Sequence, residues 1–312
     1  MSATTTLVLI NSFGLLFVMT NSLALGLRLH IGQILAHFFQ QWKLAVWVIL
    51  INFVILPALI IGFAAAAPIP DDLKIGYCIV ALAAGAPFAP MITRLAKGNV
   101  EMSTTLFVVL VILTVISLPV SLPLAVTALV PGVQHVSAWD VAWPLLVFVI
   151  GPLAIGCLIR LRYADVAASW ERPLMIISIT ALLLYANLFI YSQWDLFKSV
   201  WGSGAYIAAI AVPILGIVAG SVISMKDAGT RHACAITTAQ RSITGAILVT
   251  IYNYTQPVAN MSVTIINSFG IIILLALSME WRRRTEAQTD VEADTVEATS
   301  AGQATPMRPP AI

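Results

Sequence analysis

Residues 81–99 read "ALAAGAPFAPMITRLAKGN". The stretch lies in an apolar run long enough to cross a bilayer, yet Pro87 and Pro90 stand close together just behind Gly85. Each proline removes a backbone donor and clashes with the preceding turn. One proline would only kink a membrane helix. The tight G-A-P-F-A-P cluster predicts that the helix breaks, near mid-membrane. Irregular backbone at that depth is tolerated only where it is buried in protein or lines a cavity. The break therefore calls for a bundle of other helices around it.

The composition supplies such a bundle. Of the 312 residues, 60% are hydrophobic and 10% charged. Soluble domains average about 25% charged residues, so the chain reads as an all-α membrane protein. Crossing the hydrocarbon takes about 20 helical residues. Nine stretches qualify: 5–26, 43–67, 75–96, 102–130, 141–161, 173–192, 204–224, 230–251 and 260–281. Their runs are continuously apolar rather than alternating, which favours helices over a barrel. The first run lacks a basic leader and a clear cleavage site, so it reads as a retained helix. Cys78, Cys157 and Cys234 all fall in apolar runs and match no metal or redox spacing.

Basic residues orient the spans. Loops on one side carry Arg28, Lys43, Lys97, Arg160, Arg162, Arg172, Lys226, Arg231 and Arg282–Arg284, whereas the other side holds Lys74 and Lys198. The positive-inside rule then puts the N-terminus outside and the C-terminus in the cytoplasm. The net charge is +2, and the arginine triplet reads as a cytoplasmic anchor, so no nucleic-acid partner is expected. The expected division is a transmembrane domain, 1–284, and a disordered cytoplasmic tail, 285–312, which is polar, acidic and finally Pro-rich.

A second interruption is predicted in the eighth span, at "TTAQRS", residues 237–242. Thr237 and Thr238 are β-branched, Gln240 and Arg241 are polar, and Ser242 can cap a new half-helix. Helices 3 and 8 occupy matching places: helices 1–4 correspond to 6–9, with helix 5 extra. The odd offset inverts one set against the other. Inverted repeats with broken helices near the midplane are a common plan of secondary transporters.

These stretches resemble the bile acid:sodium symporter (BASS) family of secondary transporters. "SLALGLRLHIGQI", residues 22–34, is similar to the family's G-L-x-L segment, and "NFVILPAL", 52–59, to its Q-F-x-x-x-P segment. "GAPFAPMITRLAKGNVEMS", 85–103, resembles its P-G-G-T-A-S-N-x-x-T-Y-L-A-R-G-D-x-x-x-S stretch, and "TTAQRS" stands in the place of E-V-G-M-Q-N. The resemblance implies a core and a panel domain, with helices 3 and 8 crossing in the core, and fits a bacterial inner (plasma) membrane. It also implies sodium-site positions at Asn52, Ser103 and Gln240, which keep side-chain oxygens. Other implied ligands are lost: the Ser-Asn pair becomes Ala89-Pro90, a threonine becomes Phe107, and the shared glutamate becomes Ile236. Sodium is a hard cation that favours several oxygens, so no metal site and no cofactor are expected, and sodium coupling is disfavoured.

Arg241 matches an asparagine that, by the resemblance, faces the substrate cavity. An arginine at mid-bilayer costs roughly 2.5–3.5 kcal/mol even on permissive scales. Two readings stand side by side: it pairs with carbonyls at the end of a half-helix, or it supplies the positive charge of a bound cation and meets an anionic substrate. The expected substrate-binding residues at the crossing are Arg241, Gln240, Thr238, Thr237, Ser242, Pro87 and Phe88. The chain thus reads as a transporter of a small organic anion by alternating access. The alternative is a sensor that binds an organic anion without moving it. No nucleophile–base pair suggests an enzyme.

Overall fold

The computed structural model describes residues 3–303 except 68, 134, 135, 203, 225, 226, 255 and 256. Lys226 and His135 fall outside the described residues, as does the Pro-rich end of the tail. The described chain is helical throughout, with α1 (Ala3–Arg28), α2 (Ile31–Gln40), α3 (Trp42–Leu50), α4 (Leu56–Ala66), α5 (Asp71–Leu82), α6 (Ala89–Leu95) and α7 (Val100–Leu129). It continues with α8 (Ala138–Leu145), α9 (Gly151–Arg162), α10 (Ala164–Ser192), α11 (Trp194–Ser199), α12 (Ala205–Ile223), α13 (Ala228–Ala239), α14 (Ile243–Asn253) and α15 (Pro257–Gln303).

Eight helices among the described residues are long and apolar enough to cross a membrane, counting α3–α4, α8–α9 and α13–α14 as one span each. The sequence predicts nine. The difference is the stretch 75–96, which is not one helix but α5 and α6 with irregular backbone between them. The prolines are the cause: Pro90 sits in the first turn of α6, where its missing N–H is harmless, and Pro87 stands in the turn just before it.

Two further proline effects shape the long spans. Single π-helical turns, Ile51–Ile55 and Leu146–Ile150, precede Pro57 and Pro152. A proline ring clashes with the carbonyl four residues back. Widening the turn to a five-residue step, Leu56 N to Ile51 O and Gly151 N to Leu146 O, removes the clash without breaking the helix. The wide turn also carries Asn52 to a fully buried position.

Hydrophobicity runs around each long helix rather than along one stripe. On α7, Ile116, Val120 and Leu124 are exposed, whereas Leu118, Leu122 and Val126 are buried. An apolar outer face with an equally apolar inner face is the pattern of a helix between lipid and protein. The α13–α14 span differs: 94% of its most apolar window is buried, against 28–56% in the others. It is the innermost helix, held by α12, α7, α6, α15, α8 and α1.

Packing sorts the spans into two sets. In one, α1 lies along α9 and α10. Its contact with α9 is backbone on backbone: a Cβ on Gly26 would come 2.2 Å from the Leu153 carbonyl, and one on Gly156 would come 2.5 Å from that of Leu23. Small residues allow this approach where no hydrophobic effect drives helices together. The other set contains α4, α5, α6, α7, α12, α13 and α15, with α1–α14, α7–α8 and α14–α8 joining the two.

Two elements depart from the sequence expectation. The connection after the first span folds as α2, which packs on α7. The last span continues as helix through Gln303, well past Arg284, where an irregular tail is expected. Its first turns past the apolar run carry two i,i+4 pairs that support a helix, Arg284 to Glu280 at 2.7 Å and Arg282 to Glu286 at 3.0 Å.

Candidate functional site

The two interruptions meet. α5 ends at Leu82 and α13 at Ala239, and the backbone N–H of Ser242 donates to the Ala83 carbonyl at 2.9 Å. Orphan groups of the first break are further met by Thr114 of α7. Its hydroxyl accepts from Ala84 N and donates to Ala84 O, each at 3.0 Å. Gly85 turns the chain at φ +79°, in the left-handed region, and a Cβ there would lie 2.7 Å from Val111 N. The second break is closed by the predicted cap: the Ser242 hydroxyl accepts from Gly245 N at 3.4 Å.

Arg241 lies at this junction and is 3% exposed. Its Nε donates to Val80 O at 3.0 Å, its Nη2 to Ala81 O, and its Nη1 to Asn52 Oδ1 at 2.9 Å. Val80 and Ala81 belong to the last turn of α5, whose carbonyls lack helical partners and carry the negative end of the helix dipole. Arg241 thus meets two carbonyls at a half-helix end and one side-chain amide oxygen. Asn52 is locked in turn, because its Nδ2 donates to Val48 O at 2.9 Å and Thr238 Oγ1 at 3.2 Å.

A separate set of hydroxyls lies next to it. Ser103 Oγ lies 3.0 Å from Thr237 Oγ1; the single hydroxyl proton of Thr93 is shared between Ala89 O at 2.8 Å and Ser103 Oγ at 3.0 Å. All these side chains are buried. The fold therefore gathers one buried cluster of two hydrogen-bonded groups, Arg241–Asn52–Thr238 and Thr237–Ser103–Thr93, adjoining at the neighbouring residues Thr237 and Thr238 of α13. Gln240 stands beside it with its Oε1 unpartnered among the described residues, lining a void of about 10 Å³ with Arg241 and Asn267. Phe88 packs into the apolar core. The implied sodium-site positions Ile236, Ala89, Pro90 and Phe107 are buried.

A much larger space lies elsewhere. A cavity of about 530 Å³ is lined by Arg28, His30, Gln33, His37, Glu101, Thr104, Arg160 and Glu171, among others, from α1, α2, α7, α9 and α10. That volume is typical of small-molecule sites. Its formal charges balance, Arg28 and Arg160 against Glu101 and Glu171. Arg28 Nε stands 3.7 Å from Glu171 Oε1. Arg160 Nη2 lies 2.6 Å from His30 Nε2, an arrangement in which arginine donates and the His30 proton sits on Nδ1. A second void of about 10 Å³ shares Arg28 and Thr104 with this cavity and adds Asn21, Leu25, Pro87, Pro90, Phe107 and Met175. The cavity thus points toward the first break. There Asn21 of α1 donates to Thr244 Oγ1 of α14 at 3.3 Å, and its own Oδ1 is buried without a partner among the described residues.

Sequence reasoning misses this lining. Arg28 and Arg160 read as topological anchors at helix ends. The available signal is their place on the same side as α2, whose amphipathic run is too short for a span.

Among curated proteins none matches the chain. The model of the sodium bile acid symporter family matches residues 12–200, more than half of the chain. With its apolar spans and interrupted helices, the molecule is an integral, multi-pass membrane protein that belongs to the sodium bile acid symporter family, a family of secondary transporters.

Proposed function

We propose that the protein moves a small organic anion across the membrane by alternating access. One observation carries the reading: a cavity of ligand size runs between the α1–α9–α10 set and α2–α7, toward the junction where two interrupted helices meet. The α1–α9–α10 set is the panel, and the helices around the junction are the core. Helices 1–4 and 6–9 are inverted repeats, with α5–α6 and α13–α14 as their broken members and nine crossings in all.

The cavity mouth carries Arg28 and Arg160, which lie on the basic side of the bundle. By the positive-inside rule this is the cytoplasmic side, so the conformation is inward-facing. The N-terminus is then outside and the C-terminus in the cytoplasm of a bacterial inner membrane. The anion descends past Arg28 and Thr104 to Asn21 and Pro87. There it meets the N-terminal end of α14, whose free N–H groups and dipole favour negative charge. Residues of the crossing, Arg241, Gln240, Thr237, Thr238, Ser242, Pro87 and Phe88, shape the floor of this site in the conformation that closes the cavity. Sodium is disfavoured as the coupling ion, since Ile236, Ala89, Pro90 and Phe107 offer no side-chain oxygen.

The test is a thermal-shift screen of the purified protein against carboxylates and sulfonates, followed by counterflow of the labelled hit in proteoliposomes. A ligand that binds the folded state raises its melting temperature. Exchange across the membrane is the expected result. Binding without exchange would replace transport with the sensor reading.

A further inference from the structure

The structure assigns Arg241 the place of a bound cation: its guanidinium is a tethered positive charge that holds the two helix breaks together, so the transport cycle proposed above runs without sodium. The inference rests on that transport reading for its second half only; the first half concerns the crossing alone.

Three oxygens from two separate elements converge on the guanidinium: Val80 O and Ala81 O from the end of α5, and Asn52 Oδ1 from the π-turn between α3 and α4. Carbonyls at half-helix C-terminal ends and in unwound backbone are the groups that hold coupling cations in transporters with broken helices. Here a side chain of the chain itself fills that cage. Asn52 is oriented for it, since both donor bonds of its Nδ2 point elsewhere and leave Oδ1 toward the charge.

Among the described residues nothing else neutralises the arginine, and the ion pairs there lie at other sites. The carbonyl cage and the dipole of α5 are therefore the whole of its compensation. A second monovalent cation in the same cage would be displaced by the guanidinium and repelled by it in a low-dielectric interior. Arginine suits the role because it stays charged and presents its donors in a rigid fork.

The experiment is chemical rescue, read as melting temperature in detergent and needing no substrate. Wild type, Arg241→Ala and Arg241→Lys are compared in choline, sodium and potassium chloride at equal ionic strength, and with millimolar ethylguanidinium, which matches the atoms removed by Arg241→Ala. Wild type is expected to melt alike in all the salts and to ignore ethylguanidinium. Arg241→Ala is expected to melt lower and to be raised by ethylguanidinium but not by choline. Arg241→Lys keeps a charge in the cage and is expected to melt below wild type while remaining indifferent to sodium. A sodium-specific rise in wild type or in Arg241→Lys would overturn the inference, as would an Arg241→Ala protein that melts like wild type and ignores ethylguanidinium. If Arg241→Ala does not accumulate, the wild-type and Arg241→Lys arms decide. Counterflow of a ligand found by the screen is then expected to be equal in sodium and choline. Absence of counterflow altogether would count against transport and leave the melting results standing.

Discussion

Replacing Asn52 by leucine removes one side of the cage while nearly preserving volume. The side chain is 0% exposed and makes three hydrogen bonds: it accepts from Arg241 Nη1 and donates to Val48 O and Thr238 Oγ1. The bond from the guanidinium is charge-assisted, and its loss costs about 1.5–3 kcal/mol. The guanidinium N–H left facing leucine keeps no water to turn to. Breaking one side of a buried charged contact costs about 3–5 kcal/mol in all. The bond to Val48 O adds little, because that carbonyl also serves the helix. The expected loss for Asn52→Leu is therefore about 3–4 kcal/mol. Asn52→Asp keeps the acceptor and supplies a counter-charge, while giving up both donor bonds, so it is expected to cost less than leucine. Denaturant unfolding of the detergent-solubilised variants measures both. A leucine variant within about 1 kcal/mol of wild type, or an aspartate variant less stable than leucine, would show that Arg241 does not depend on Asn52 and would refute the account of the cage.

Two other substitutions probe close approaches of the backbone, one at the junction and one between α1 and α9. Gly85→Ala must hold a side chain at φ +79° with its Cβ 2.7 Å from Val111 N, a backbone atom that no rotamer change can move. The left-handed conformation alone costs about 1–2 kcal/mol, so a loss above about 2 kcal/mol is expected in thermal melts, and a neutral result would contradict the geometry of the first break. Gly26→Val places its Cβ 2.2 Å from the Leu153 carbonyl and should part α1 from α9, lowering both yield and melting temperature. Gly62→Ala, with open space around its Cβ on α4, is the matched control and should be neutral or more stable by about 0.5–1 kcal/mol.

How much of the fold is legible in the sequence depends on how local each cause is. The break at 83–88 is written into its own residues, because two prolines and a glycine act on the backbone they belong to. So is the Ser242 cap. The two π-turns also arise from nearby prolines, yet they leave the hydropathy of their spans unchanged and cannot be read from it. The first turns of α15 beyond the apolar run carry i,i+4 pairs at Glu280–Arg284 and Arg282–Glu286, which a reading by composition does not reveal. α2 escapes a search for crossings because a ten-residue amphipathic helix is too short to be one.

The crossing itself belongs to another category. Arg241 finds its carbonyls 161 and 160 residues upstream and its amide partner 189 residues upstream. No periodicity or spacing connects such positions; only packing does. The sequence states the electrostatic problem, a positive charge in an apolar helix with no carboxylate near the middle of any span. Its solution requires two helices to stop at the same depth, so that one offers its unsatisfied carbonyls where the other presents a cation. The prolines of the first break thus account for the arginine of the second. A continuous α5–α6 helix would have used the Val80 and Ala81 carbonyls in its own ladder, and a guanidinium at position 241 would then have had Asn52 alone. The two interruptions are in that sense one feature, and a substitution that heals the first should destabilise the second even though they are far apart in the chain.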